Sequence, residues 1–151
     1  MAEYLTALAK PAIALIILIQ LMASGCESTV APTDDRAVAH MKVLGLLYGQ
    51  YMSEHSGAPP ASQDQFVAYL QREPANWEKL ASSPQEFLAS ARGGESLVVL
   101  YGSDVKTPAD GGFPWVAYEA QTIDDRRQVV NAQGNVQGMN EQEFAQLFPD
   151  S

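Results

Sequence analysis

The chain has 151 residues, a formal charge of −9 at pH 7 and one cysteine. That length holds one domain with a modest core, and the acidic balance argues against nucleic acid and against electrostatic adsorption on anionic lipid. A lone cysteine allows no disulfide within the chain, so the fold must stand on burial alone.

Met1 to Lys10 is a short leader whose two charges, Glu3 and Lys10, cancel. Pro11 to Met22 is an apolar run broken only by Gln20. As a helix rising ~1.5 Å per residue it reaches roughly 18 Å, against a hydrocarbon core of ~30 Å. It is too short to span comfortably and has the length of a signal core. Ala23-Ser24-Gly25 then offers little bulk to a peptidase, directly before Cys26.

These residues resemble the bacterial lipoprotein signal, whose lipobox reads Leu-(Ala/Ser)-(Gly/Ala)-Cys. Ser24, Gly25 and Cys26 match, and Ala23 stands where leucine is usual. The resemblance implies cleavage between Gly25 and Cys26, thioether diacylglycerol on Cys26, and often a further acyl chain on its new amine. Two or three chains hold a protein stably where one does not. The expected plan is a signal over 1–25, a lipidated cysteine and polar tether over 26–33, and a domain over 34–151. Glu27 is not the aspartate that retains lipoproteins at the inner membrane in some bacteria, which favours the outer membrane. Two other readings of the segment stay open. One is an uncleaved anchor from Leu5 to Gly25 with Lys10 at the interface; the other is plain cleavage and release.

Thr33 to His55 reads as the main helix, with Thr33 as N-cap and Asp34 and Asp35 in the first turn, where negative charge suits the helix dipole. At about 100° per residue, Ala37, Met41, Leu44, Leu47, Tyr48, Tyr51 and Met52 share one arc, opposite Lys42, Gln50 and Ser53. Gly45 and Gly49 each cost about 1 kcal/mol against alanine. Gly45 lies at the edge of the arc, where a small residue permits close approach. His55-Ser56-Gly57 ends the helix, and Pro59-Pro60 forbids its continuation.

Three shorter helical pieces follow. Ser62 to Gln65 has capping-box spacing and precedes Phe66, Val67, Tyr69 and Leu70. Pro74 begins a turn carrying Trp77 and Leu80. Ser83-Pro84-Gln85-Glu86 is a second capping box with proline at the first helical position, leading into Phe87 and Leu88. After Arg92-Gly93-Gly94 the pattern becomes strand-like over Leu97–Tyr101, Trp115–Glu119, Arg127–Asn131 and Val136–Met139. Ala132 to Asn135 fits a tight hairpin. Asn140 to Glu143 is a third capping box, opening a last helix with Phe144, Leu147 and Phe148 on one side. Helix first and antiparallel strands after is an α+β order. The long N-terminal helix is expected to lie on one face of a small antiparallel sheet, with short extra helices and a C-terminal helix.

Two stretches carry a second resemblance. Met41-Lys42-Val43-Leu44-Gly45-Leu46, through Tyr51 to Gly57-Ala58-Pro59-Pro60-Ala61, is similar to the pattern LKxIGLAxxNYxxxxGxxPPA. That pattern marks the helix exit in bacterial type II secretion pseudopilin-like proteins. Trp115 to Glu119 and Arg127 to Val136 resemble the late strands of that family, and Glu141 to Phe144 the short acidic helix after them. The resemblance covers about residues 36–148, with sparse matches over 63–96. It implies a pilin-like head that contacts other proteins through its sheet edge and the Gly102–Pro114 loop. The chain departs from the family in having a lipobox and polar tether in place of a prepilin-peptidase site and an unbroken hydrophobic helix. Gln133-Gly134-Asn135 also replaces the family's Asp-Gly-His.

Catalytic constellations are sparse. His40 falls inside the apolar arc of the helix and reads as a core histidine. It and His55 lie about four turns or ~22 Å apart, too far to share a zinc ion. Cys26 is no nucleophile once acylated, and the serines show neither a GxSxG elbow nor SxxK. Asp104 and Asp110, with Gly111-Gly112, form an acidic loop. Pseudopilins hold calcium in this region, so the resemblance makes these two residues a candidate calcium site, although the spacing matches no EF-hand and a solvated loop is the other reading. Asp124-Asp125-Arg126-Arg127 reads as a polar hairpin end. Trp77 and Trp115 read as core or rim aromatics, with ligand stacking by Trp115, beside Pro114 and Tyr118, as the alternative. The expected function is a non-catalytic, lipid-anchored envelope protein whose partners are the membrane, through its acyl chains, and envelope or secretion proteins. The alternative is a module binding a small ligand or calcium. No cofactor is expected beyond the lipid on Cys26.

Overall fold

A computed structural model describes residues 35–89, 97–108 and 111–149 of the chain. The signal, Gly25, Cys26, the tether, the Thr33 cap and Asp110 lie outside the described residues. The helix read over 33–55 is α1, Asp35–Glu54. Ala37, Met41, Leu44, Leu47, Tyr48 and Tyr51 are buried along it, Met52 is half-buried, and Lys42, Gln50 and Ser53 face solvent. Burying a large apolar side chain contributes about 1.5–3 kcal/mol, so this face outweighs the propensity lost at two glycines. The helix closes in a turn in which the Gly57 amide reaches back to the Met52 carbonyl at 2.7 Å. Here the left-handed backbone begins at Ser56 (φ 58°), one residue before the glycine that the sequence marks as the stop.

Two short helices pack beside α1. α2 is Gln63–Arg72, capped by Ser62 Oγ, which accepts from the Gln65 amide. A single 3-10 turn covers Pro74–Asn76. α3 is Pro84–Phe87, with Ser83 Oγ accepting from the Glu86 amide at 3.1 Å. Phe66, Tyr69, Leu70, Trp77, Phe87 and Leu88 from this segment join the α1 face in one apolar cluster.

The strands are β1 (Leu97–Val99), β2 (Trp115–Glu119), β3 (Arg127–Asn131) and β4 (Val136–Met139). They form one antiparallel sheet in the order β1-β2-β3-β4, a meander in which each strand pairs with the next. The architecture is α+β. β1 is shorter than the apolar run Leu97–Tyr101, because the chain enters a 3-10 turn at Gly102–Asp104 while the Gly102 amide donates to the Pro60 carbonyl at 2.9 Å. Between β2 and β3 the register shifts at Val116. This extra residue is a bulge, and it lets Val116 and the adjacent Ala117 both join the cluster under α1.

Both faces of the sheet are covered. Leu97, Val116, Ala117 and Val130 pack with α1 and its neighbours. Leu100, Tyr118, Val129 and Met139 pack with Phe144 and Phe148 on the other side. The last helix, α4 (Glu141–Leu147), supplies that cover. Strands enclosed on both sides lose the in–out alternation of a one-faced sheet, and four of five residues are buried in each of β2 and β3.

Candidate functional site

The β2–β3 hairpin ends in a tight turn at Asp124-Asp125, both in left-handed backbone (φ 53° and 59°). Ile123 and Arg126 exchange backbone hydrogen bonds of 2.9 and 3.0 Å across it. This geometry matches the twist of paired strands, and aspartate tolerates it better than most non-glycine residues. The polar hairpin end read from the sequence therefore has a backbone role as well as a solvated one.

Beside this turn the chain re-enters as the capped start of α4. Asn140 Oδ1 accepts from the Glu143 amide and Glu143 Oε2 from the Asn140 amide, both at 2.9 Å. The hairpin and the cap enclose an open recess of about 380 Å³ lined by Thr122, Asp125, Asn140, Glu141 and Gln142. Glu141 Oε1 accepts from the Thr122 hydroxyl and from Arg127 Nη2 at 3.1 Å. The Arg127 guanidinium lies 4.1 Å from the Phe144 ring centre, a cation–π distance. The hydrogen bonds from Thr122 and then Arg127 hold the Glu141 carboxyl below the usual carboxylate range. A carboxylate held low is a poor general base near neutral pH. The recess can accept hydrogen bonds from a polar or cationic group, but Glu141 is already bound to Arg127 of β3 and to Thr122.

Those residues singled out from the sequence that fall among the described residues take separate structural roles. Asp104 ends the exposed 3-10 turn Gly102–Asp104, and its amide donates to the Tyr101 carbonyl at 3.0 Å. Its expected companion Asp110 is outside the described residues. Among the described residues, no three His, Cys, Asp or Glu side chains come together in a metal-holding group. His40 is buried in the core. His55 is exposed beyond α1, its ring stacked on Tyr51 at 3.9 Å and its Nδ1 donating to the Tyr51 carbonyl at 2.7 Å. Trp77 is core, with its indole N–H donating to the Leu70 carbonyl at 2.8 Å. Trp115 is half-buried against the cluster beneath α4, not an open stacking platform.

Sequence reasoning missed two features. Thr122, Arg127 and Glu141 meet although each sits in an unremarkable local context. Glu119 is buried within β2, and its Oε2 accepts from the Gln128 amide at 3.1 Å. A charged residue at an inward strand position was the available signal for the second; nothing local signals the first. Among the described residues, no helix is long and apolar enough to cross a membrane. Comparisons of the chain with protein-family models, with curated proteins and with solved structures found no match, so any functional reading rests on this chain's own residues.

Proposed function

We propose that this chain is a non-catalytic, lipid-anchored protein of the bacterial cell envelope, with a pseudopilin-like head that acts through protein contacts. The observation that carries the reading is the apolar run Pro11–Met22 closing on Ala23-Ser24-Gly25-Cys26. The α+β order, with α1 laid along an antiparallel meander, is compatible with a pilin-like head and supports the second half of the reading. The acyl chains on Cys26 supply the membrane affinity that a chain of net charge −9 cannot obtain from anionic lipid. The sheet edge and the 102–114 loop are the contact surfaces in this reading, and the outer membrane is the favoured address.

Mass spectrometry of the protein recovered from cells tests the anchor. The expected N-terminus is Cys26 carrying diacylglycerol, and Cys26→Ala is expected to leave the lipid-extracted membrane fraction or to keep residues 1–25. An N-terminus with residues 1–25 attached and Cys26 unmodified in the wild type would sink the reading. A calcium-dependent rise in melting temperature, expected of a ligand that binds the native state, would move the function to the Asp104–Asp110 loop instead.

A further inference from the structure

The two edges of the sheet are finished differently. At the β1 edge the chain covers itself, and the Leu97 amide donates to the Leu88 carbonyl at 3.2 Å. β4 forms the other edge. In an antiparallel ladder, residues alternate between those that bond to the strand opposite and those whose N–H and C=O point away from it. The Asn131 amide donates to the Asn135 carbonyl where the β3–β4 ladder begins. With Val130 opposite Val136 and Gln128 opposite Gly138, that phase turns the backbone groups of Val136 and Gly138 outward. β4 reads Val-Gln-Gly-Met, with neither the proline nor the charged side chain that commonly blunts an edge. The charge comes instead from the residue before β3. Arg126 Nη1 donates to the Gly138 carbonyl at 3.2 Å. Its stem crosses β4 at the glycine, where a Cβ would sit 3.4 Å from Arg126 Cδ and 3.3 Å from Gln128 Nε2. A strand glycine of this kind marks the close approach of another group.

We propose that Arg126 guards the β4 edge: its guanidinium occupies the outward Gly138 carbonyl and keeps a second copy of this chain from adding its own β4 to the sheet. Two β4 strands set antiparallel about a twofold axis would each offer the other the outward groups of Val136 and Gly138. The edge is therefore self-complementary once it is uncovered. With Arg126 in place, an incoming copy must displace a charge-assisted bond on each side and bring two guanidinium groups to one seam. The net charge of −9 repels copies at a distance, but salt screens that repulsion. A group seated on the carbonyl itself acts at contact, where screening matters less. The inference stands on strand geometry and holds with or without lipid on Cys26.

The test compares the parent with Arg126→Ala, both as full-length chains in detergent, by light scattering over a dilution series and by amide exchange. Arg126→Ala removes a positive charge from an acidic chain, which works against association, so a gain cannot come from net charge. The parent is expected to stay monomeric. The variant is expected to dimerise at least about tenfold more tightly, with the Val136 and Gly138 amides gaining exchange protection as concentration rises. No gain in association would overturn the guard. So would a dimer that leaves those two amides unprotected, or a parent already paired through β4. If Arg126→Ala does not fold, Arg126→Met, which keeps an unbranched stem without the guanidinium, is read against the same outcomes.

Discussion

Tyr48 shows how one side chain ties two distant parts of the chain. It is fully buried on α1, and its hydroxyl donates to the Leu100 carbonyl at 2.6 Å, beyond the end of β1. Burial raises its hydroxyl well above the ordinary tyrosine value, with Tyr101 and Tyr51 adding to the shift, so the group remains a protonated donor. Removing one partner leaves the other buried and unpaired, which costs about 1–3 kcal/mol. Tyr48→Phe is therefore expected to lose about 1–2 kcal/mol in urea unfolding. Tyr69→Phe is the comparison, since its bond to Glu54 is long, at 3.4 Å, and only part-buried; a change within about 0.5 kcal/mol is expected there. Equal losses in the two variants would mean that the Leu100 bond contributes nothing specific.

Between elements, α1 lies close against the turn joining β3 and β4. A Cβ on Gly45 would sit 2.7 Å from Val130 Cγ2 and 2.9 Å from the Gly134 Cα, and one on Gly49 would run into the Ala132 carbonyl oxygen. The turn is organised by Asn131, whose Oδ1 accepts from the Gln133 and Asn135 amides, both at 3.0 Å. Gly134 takes φ +75° against Lys42 and Leu46. In an isolated helix Gly49→Ala gains about 1 kcal/mol. Here the added methyl meets backbone that cannot swing aside, so the variant is expected to be about 1–2 kcal/mol less stable than the parent. Exposed Ser53→Ala on the same helix is expected to be neutral or slightly stabilising, and a stabilised Gly49→Ala would refute the contact.

At the opposite face, Glu141→Gln tests how α4 is held. The Glu141 carboxyl is lowered in the fold, so its contribution is present above its unfolded value and disappears as pH falls through the folded one. The melting temperatures of parent and Glu141→Gln are expected to differ at pH 7 and to converge in acid. A difference that persists at low pH would mean that the amide disturbs packing instead.

For the whole molecule, the decisive fact is that the sheet has cover on both sides. Phe144 and Phe148 are each 3% exposed and meet Tyr118 at 4.9 and 5.0 Å. At about 1.5–3 kcal/mol for each large apolar side chain, the two phenylalanines supply a large part of a domain stability of about 5–15 kcal/mol. A chain ending at Met139 is expected to lose cooperative melting and to bind a hydrophobic dye through the uncovered Leu100, Tyr118 and Val129. A truncated chain that melts like the parent without dye binding would show that α4 is dispensable. The charge of −9 adds repulsion between copies and within the fold, so neither core can be lost cheaply.

Much of the architecture was legible because its signals are local. Ser62, Ser83 and Asn140 cap helices in the structure as their spacing predicts, since a cap needs only residues three apart. The buried arc of α1 follows from helical periodicity, and β2, β3 and β4 keep the limits drawn from their apolar runs. The left-handed residue at Ser56 and the early end of β1 were not legible, because neighbouring contacts chose among permitted backbones. The candidate site divides the same way. The proposed lipid-attachment half is written in adjacent residues and lies outside the described residues. The Thr122–Arg127–Glu141 cluster joins residues up to 19 positions apart that no motif links. Sequence alone determined the elements and pointed to the candidate anchor, because caps, periodicity and a lipobox-like run of four residues are short-range. Tertiary structure alone decided why α1 needs glycine at two positions, where the Val116 bulge falls and what covers the second face. Each of those depends on two segments meeting after the loop between them has closed.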